Sequence, residues 1–322
     1  MVPDPHRIDV HHHTIPPQYR AALEARGIVE AGGRDLPSWS AAESLAVMDR
    51  QGIATAVLSV SAPGVHFGDD AAARTLARQC NEASAELRRE RPDRFGFFAT
   101  LPLPDAAGAA AEAVYALDEL GADGVVLLSS HSDGSYLGDP RFEEVLAELD
   151  SRRAVAFIHP VAPAFSSHIR HDIPAFAMEF TFDTTRAVFN LAYTGALERY
   201  PSIAFICSHA GGTVPYLAGR FDLLWFTDDA LVARAPQGGS AYLRRLYYDT
   251  ALSANPHALR SLTALVGADH ILFGSDFPFA PELATEVTIA GLAAYELTED
   301  ERLAIDRRSA EALLPRLAKG AA

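Results

Sequence analysis

Short runs rich in β-branched and aromatic residues recur along the chain, and between them lie longer stretches with helical patterning. Eight runs can be counted, at 8–13, 54–61, 95–101, 124–130, 155–159, 203–209, 246–251 and 271–276. The intervening stretches predict helices over 69–91, 105–120, 140–153, 183–200, 213–226 and 255–266, several of them opening on Asp, Asn or Pro. A terminal helix is expected over 298–317, where Thr298 and Glu301 have the spacing of a capping box. Repeated strand-then-helix units favour parallel strands, and eight of them close into a (β/α)8 TIM barrel, one domain filling 1–322. Two connections, 14–40 after the first strand and 161–182 after the fifth, exceed the usual structureless length and read as lids or partner contacts.

In such a barrel chemistry gathers at the carboxyl ends of the strands, and this sequence places its metal-capable residues there. His11 and His13 close the first run, His159 the fifth, His209 the sixth and Asp276 the eighth. Strict alternation in Ile8-Asp9-Val10-His11-His12-His13 puts Asp9, His11 and His13 on one face, with His12 outward as a packing or surface residue. His159 appears where Pro160 stops its strand, and His209 precedes Gly211-Gly212, with Cys207 expected to face inward one layer below. Three imidazoles and one carboxylate make a mononuclear set that leaves room for water or substrate. Zn2+ is the first choice because imidazoles outnumber carboxylates, and Mn2+ accepts the same donors.

His209, near the ion but not needed to hold it, is expected to move protons as the catalytic acid/base; Asp276 is the other candidate for delivering the proton. Arg220 could grip an anionic substrate group through its two-pronged donor geometry, and His66 is a further substrate contact at the mouth. His131, His168, His171, His257 and His270 have no convergent partners and are taken as structural or surface residues.

Composition narrows the function. A net charge of −15 disfavours nucleic acid and anionic membrane surfaces as partners and leaves a small molecule. The start, MVPDPHRIDVHHH, lacks a basic segment followed by an apolar run, and no eighteen apolar residues run together, so a cytoplasmic protein is expected. The two cysteines, Cys80 and Cys207, cannot form a disulfide framework and are expected to be reduced. Lys319, in the tail, is the single lysine, which excludes a Schiff base, pyridoxal phosphate attachment and a lysine carbamate bridging two metals within the barrel.

The motifs IDVHHH, FIHP, SHAGGTVPYLAGR and LFGSDFP, in that order, resemble the amidohydrolase superfamily along almost the whole chain. They are most similar to its branch of metal-dependent nonoxidative decarboxylases related to aminocarboxymuconate-semialdehyde decarboxylase (amidohydrolase 2). EFTFDTTRA, YYDTALS and GADHILFGSDFP look most like the 6-methylsalicylate decarboxylase group. The resemblance implies that His11, His13, His159 and Asp276 bind the metal and that His209 is catalytic. It also implies that Arg220 contacts a substrate carboxylate, in some members across a dimer interface, and hence a homodimer. The expected activity is decarboxylation of a small aromatic or conjugated carboxylic acid of the salicylate type. The alternative is hydrolysis of a lactone, ester or amide by metal-bound hydroxide, which fold and ligands alone do not distinguish.

Overall fold

The structure is a computed structural model that describes residues 6–169 and 172–318; His171 and Lys319 lie outside the described residues. Its centre is an eight-stranded parallel sheet whose strands follow one another in chain order. They are β1 (Arg7–His13), β2 (Ile53–Ser59), β3 (Phe95–Thr100), β4 (Gly124–Leu128), β5 (Val155–His159), β6 (Ala204–Cys207), β7 (Tyr247–Asp249) and β8 (Ile271–Leu272). The last strand returns to the first through Val10 N–H to the Phe273 carbonyl at 3.0 Å and Asp276 N–H to the His11 carbonyl at 2.8 Å. This seam, rather than a regular ladder, closes the expected barrel.

The barrel has two apolar layers. Inside, Ile8, Val10, Val57, Phe98, Phe157, Ile206 and Leu272 pack together, and Ala310, Leu314 and Leu317 cap their amino-terminal end. A larger layer lies between the strands and the surrounding helices. The terminal segment begins with the expected capping box at Thr298 and Glu301. It is not one helix, however: α-helical turns at Glu299–Leu303 and Ser309–Leu313 flank a π-helical stretch, and Pro315, with no N–H to continue the ladder, opens a separate 3-10 turn. The expected helix over 183–200 starts earlier, at Glu179, and breaks at Gly195, whose φ of 75° is left-handed.

Two local corrections bear directly on chemistry. The first concerns β1, where Asp9 pairs with Ala56 but His12 pairs with Leu58, so three steps on one strand match two on its neighbour. This β-bulge resets the alternation. Ile8 and Val10 therefore lie in the barrel interior, His11 and His13 converge above them, and Asp9 turns to His12, its carboxylate 3.0 Å from His12 Nδ1. The second concerns β6, which stops at Cys207 instead of running to His209. Ile206 is the inward residue, and Cys207 packs in the outer layer rather than beneath His209.

Both long connections carry structure. The first contains a helix, Pro17–Glu24, and a two-stranded hairpin formed by Glu30–Ala31 and Arg34–Asp35. The second contains 3-10 turns at Ser166–His168 and Ala175–Ala177, and Phe176 N–H donates to the Gly32 carbonyl at 3.0 Å, tying the two connections together over the barrel mouth. Among the described residues no helix is long and apolar enough to cross a membrane.

Candidate active site

The four expected ligands meet. His11, His13, His159 and Asp276 each offer a donor atom, and these atoms lie within 4.8 Å of one another. His11 Nε2 is 3.1 Å from His13 Nε2, and an Asp276 carboxylate oxygen is 3.0 Å from His13 Nε2 and 3.3 Å from His11 Nε2. Tetrahedral donors about 2.0–2.1 Å from a zinc ion stand roughly 3.3 Å apart, so the spacing suits one small cation.

The opposite ring nitrogen of each imidazole is committed elsewhere. His11 Nδ1 faces Asp249 at 2.8 Å, His13 Nδ1 faces the Ser59 hydroxyl at 3.0 Å, and His159 Nδ1 faces the Pro160 carbonyl at 2.8 Å. Protons placed on Nδ1 to satisfy these acceptors leave the convergent Nε2 lone pairs free for a metal. A second grouping, His11 with His209 and Asp249, is also compact. It is hydrogen-bonded internally: Asp249 faces His11 Nδ1 at 2.8 Å and accepts the His209 N–H at 2.9 Å.

Electrostatics agree with a cation site. Burial opposes charge on His11, but the Asp249 and Asp276 carboxylates outweigh it and push the imidazole up to about 10. Burial holds His13 below the ordinary imidazole value and His159 well below it, which keeps both neutral, the form in which an imidazole can coordinate a cation. Burial would raise Asp276, yet hydrogen bonds from His11 and His13 keep its carboxyl far below the usual carboxylate range. Without an ion, the protonated His11 is the positive charge set between the buried Asp249 and Asp276 carboxylates, and a bound cation would take over that part.

Strained backbone aims the remaining groups. His209 and Ala210 follow β6 with φ of 53° and 55°, and Asp276 follows β8 with φ of 61°. Such left-handed conformations are costly for side-chain-bearing residues and persist where the surroundings enforce them. For His209 the enforcement is visible: its N–H donates to Asp249 at 2.9 Å and its Nδ1 meets the Ala251 carbonyl at 3.0 Å. Gly212, with φ of 62°, completes the turn where a Cβ would stand 2.0 Å from the Thr181 carbonyl oxygen. Continued as a strand, His209 would share the outward face of Cys207; the left-handed turn brings its ring centroid to 4.9 Å from that of His11.

His159, His209 and Asp276 open into a cavity of about 340 Å³ walled by Phe176, Phe180 and Phe279. Arg34, from the hairpin of the first long connection, is the one arginine among the described residues that line it. Arg34 and Asp249 escaped the sequence reading. Asp249 sits in the YYDT run at the end of β7, and a carboxylate at a barrel strand end was its available signal. Arg34 lies in a connection whose path the sequence pattern does not specify.

The other two expected contacts stand apart from this cavity. Arg220 is exposed on the helix Val214–Asp222. His66 pairs with Asp70 at 2.8 Å and lines a neighbouring cavity.

A family described as amidohydrolase matches residues 8–316. The chain is 38% identical to a 6-methylsalicylic acid decarboxylase of Penicillium expansum over 97% of each chain. A crystal structure of a 2,6-dihydroxybenzoate decarboxylase in complex with 2,6-dihydroxybenzoate superposes with a TM-score of 0.80 at 25% identity, covering 96% of this chain and 99% of that one. A dihydroxybenzoic acid decarboxylase from a Polaromonas species, solved with manganese and the inhibitor 2-nitroresorcinol, shares the fold with a TM-score of 0.79 at 23% identity and covers 96% of each chain.

Proposed function

This chain belongs to the amidohydrolase family, and from that premise we propose that it is a metal-dependent nonoxidative decarboxylase of small aromatic acids of the salicylate type. The observation that carries the reading is the opening of a buried His3Asp cluster into an aromatic-walled cavity with one arginine at its rim. A divalent ion held by His11, His13, His159 and Asp276 would supply positive charge to the carboxylate and an ortho oxygen of the substrate. Zn2+ remains the first proposal from the donor set, with Mn2+ as the competitor.

The protein's own residues supply the rest. Phe176, Phe180 and Phe279 offer flat apolar walls to a single ring, and Arg34 a charged fork to its carboxylate. His209 Nε2 is the group best placed to deliver a proton to the ring carbon that bears the carboxylate, since Nδ1 is fixed on the Ala251 carbonyl. The C–C bond then breaks, its electron pair restores the aromatic ring, and CO2 leaves. Asp276 is less suited to this donation because a carboxylate that holds the ion, and that already lies far below the usual carboxylate range, carries no proton to give.

Carbon dioxide release from 2-hydroxy-6-methylbenzoate, 2-hydroxybenzoate and 2,6-dihydroxybenzoate tests the proposal. Chelator-treated protein should release none, and added Zn2+ or Mn2+ should restore turnover of at least one acid. Metal-restored protein that leaves all three intact would refute the reading.

We assign a homodimer to the outer helix. Tyr216, Leu223 and Phe226 are 82%, 59% and 84% exposed on either side of Arg220, an apolar face that a second copy of the chain would cover. In that arrangement Arg220 reaches the substrate of the partner. Arg34→Met and Arg220→Met should each raise KM about 10- to 100-fold with smaller effects on kcat. Tyr216→Asp should yield monomers in sedimentation with a similar rise in KM. A wild-type protein that sediments as a monomer with full activity would remove the dimer and the role of Arg220 together.

A further inference from the structure

Beside the catalytic cavity lies a second one of about 360 Å³ over the carboxyl ends of β2, β3 and β4. The segment after β2 divides them: Ser61 and Ala62 line the catalytic cavity, Pro63 and Gly64 the second. Val65, Leu101, Leu103 and Leu128 give the second cavity apolar walls, and no Asp, Glu, Arg or Lys is among the described residues that line it.

Its polar side is built around one residue. His131 lines the cavity, is 6% exposed, and has an Nε2 with no hydrogen-bond partner. Leaving a buried imidazole nitrogen unpaired is costly, and a turn of the ring that presents it to a ligand's own hydrogen-bonding group in the cavity would relieve the cost. Of the other polar side chains, His66 is engaged with Asp70 and the Ser130 hydroxyl with Asp183, while the Thr100 and Ser132 hydroxyls add polar surface to the lining.

We propose that this second cavity binds a neutral phenol, the class of molecule that decarboxylation of a hydroxybenzoate releases. The walls accept an aromatic ring and the His131 imidazole accepts the phenolic proton. The contrast with the neighbouring cavity supplies selectivity. There, Arg34 and a metal site suit a carboxylate; here nothing compensates an anion, so the substrate acid is rejected and the product retained. Burial, the largest influence on His131, lowers its pKa to about 4, so the ring stays a neutral acceptor at physiological pH. The identity of the ligand as product rests on the decarboxylase reading; the binding itself does not.

Titration of the metal-loaded enzyme with 3-methylphenol, followed by NMR and calorimetry, tests this with benzoate as the anionic probe. We expect a 3-methylphenol site that benzoate neither fills nor competes for. His131→Phe, which keeps a planar aromatic ring but removes the acceptor, should weaken that site about five- to tenfold through loss of one hydrogen bond. Ala164→Trp, at an exposed position on the rim, should abolish it by filling the opening. Initial rates of CO2 release should stay within about twofold in both variants, because neither residue lines the catalytic cavity. The proposal is overturned if 3-methylphenol binding is absent, is unchanged in both variants, or is matched by benzoate. A protein that binds 3-methylphenol in this way but releases no CO2 from any hydroxybenzoate would refute the decarboxylase reading and leave the site standing.

Discussion

His13→Ala is expected to purify with little bound metal and to release CO2 at a rate lower by about four orders of magnitude, because the ion supplies several kcal/mol of charge stabilisation. His13 is the informative ligand to remove. Its Nε2 stands 3.1 Å from His11 Nε2 and 3.0 Å from Asp276, at the centre of the cluster, while its Nδ1 contacts only Ser59. Deleting His11 would instead leave the fully buried Asp249 carboxylate without its imidazole partner, mixing a folding defect with the loss of a ligand. The comparison is made by elemental analysis and CO2 release on protein whose melting temperature is also recorded. Near-normal metal content together with near-normal rate would show that His13 is not a ligand.

His209→Asn should produce the opposite pattern: one metal ion per chain retained, KM changed less than about threefold, and kcat lower by about 10²- to 10⁴-fold. Asparagine is chosen because residue 209 has a φ of 53°, a region that Asn tolerates better than most residues. The turn that aims the side chain is thereby kept, and the titrating group is lost. Should Asp276 deliver the proton instead, kcat of this variant would fall only slightly. Steady-state kinetics beside metal analysis separates the two assignments.

The architecture was legible because it rests on long-period signals. Eight apolar runs of roughly the right length, separated by capped helices such as those opening at Asp69, Asp105 and Asn255, specify a parallel barrel irrespective of detail. The convergence of the proposed ligands was legible for a related reason: His11, His13, His159 and Asp276 lie at or just beyond the carboxyl ends of their strands, where barrel topology brings them together.

What the letters conceal are departures from regular geometry. A single extra residue in β1 reverses the faces of Asp9 and Val10, and alternation cannot reveal a bulge that the neighbouring strand imposes. The left-handed turn at His209 and Ala210 likewise depends on Asp249, forty residues away, accepting the His209 N–H. Sequence reasoning placed His209 at the barrel mouth by extending a strand that in fact ends at Cys207; the left-handed turn brings its ring beside His11 by a different route. Arg34 was invisible because its place over the mouth is set by packing between two connections, as in the contact of Phe176 with Gly32.

The most direct test is anomalous diffraction from crystals of the zinc- or manganese-loaded protein, collected on either side of the metal's absorption edge. The account predicts one strong peak per chain, about 2.0–2.2 Å from the Nε2 atoms of His11, His13 and His159 and from an Asp276 carboxylate oxygen. A peak elsewhere, or an ion bound through fewer than three of these side chains, would contradict it.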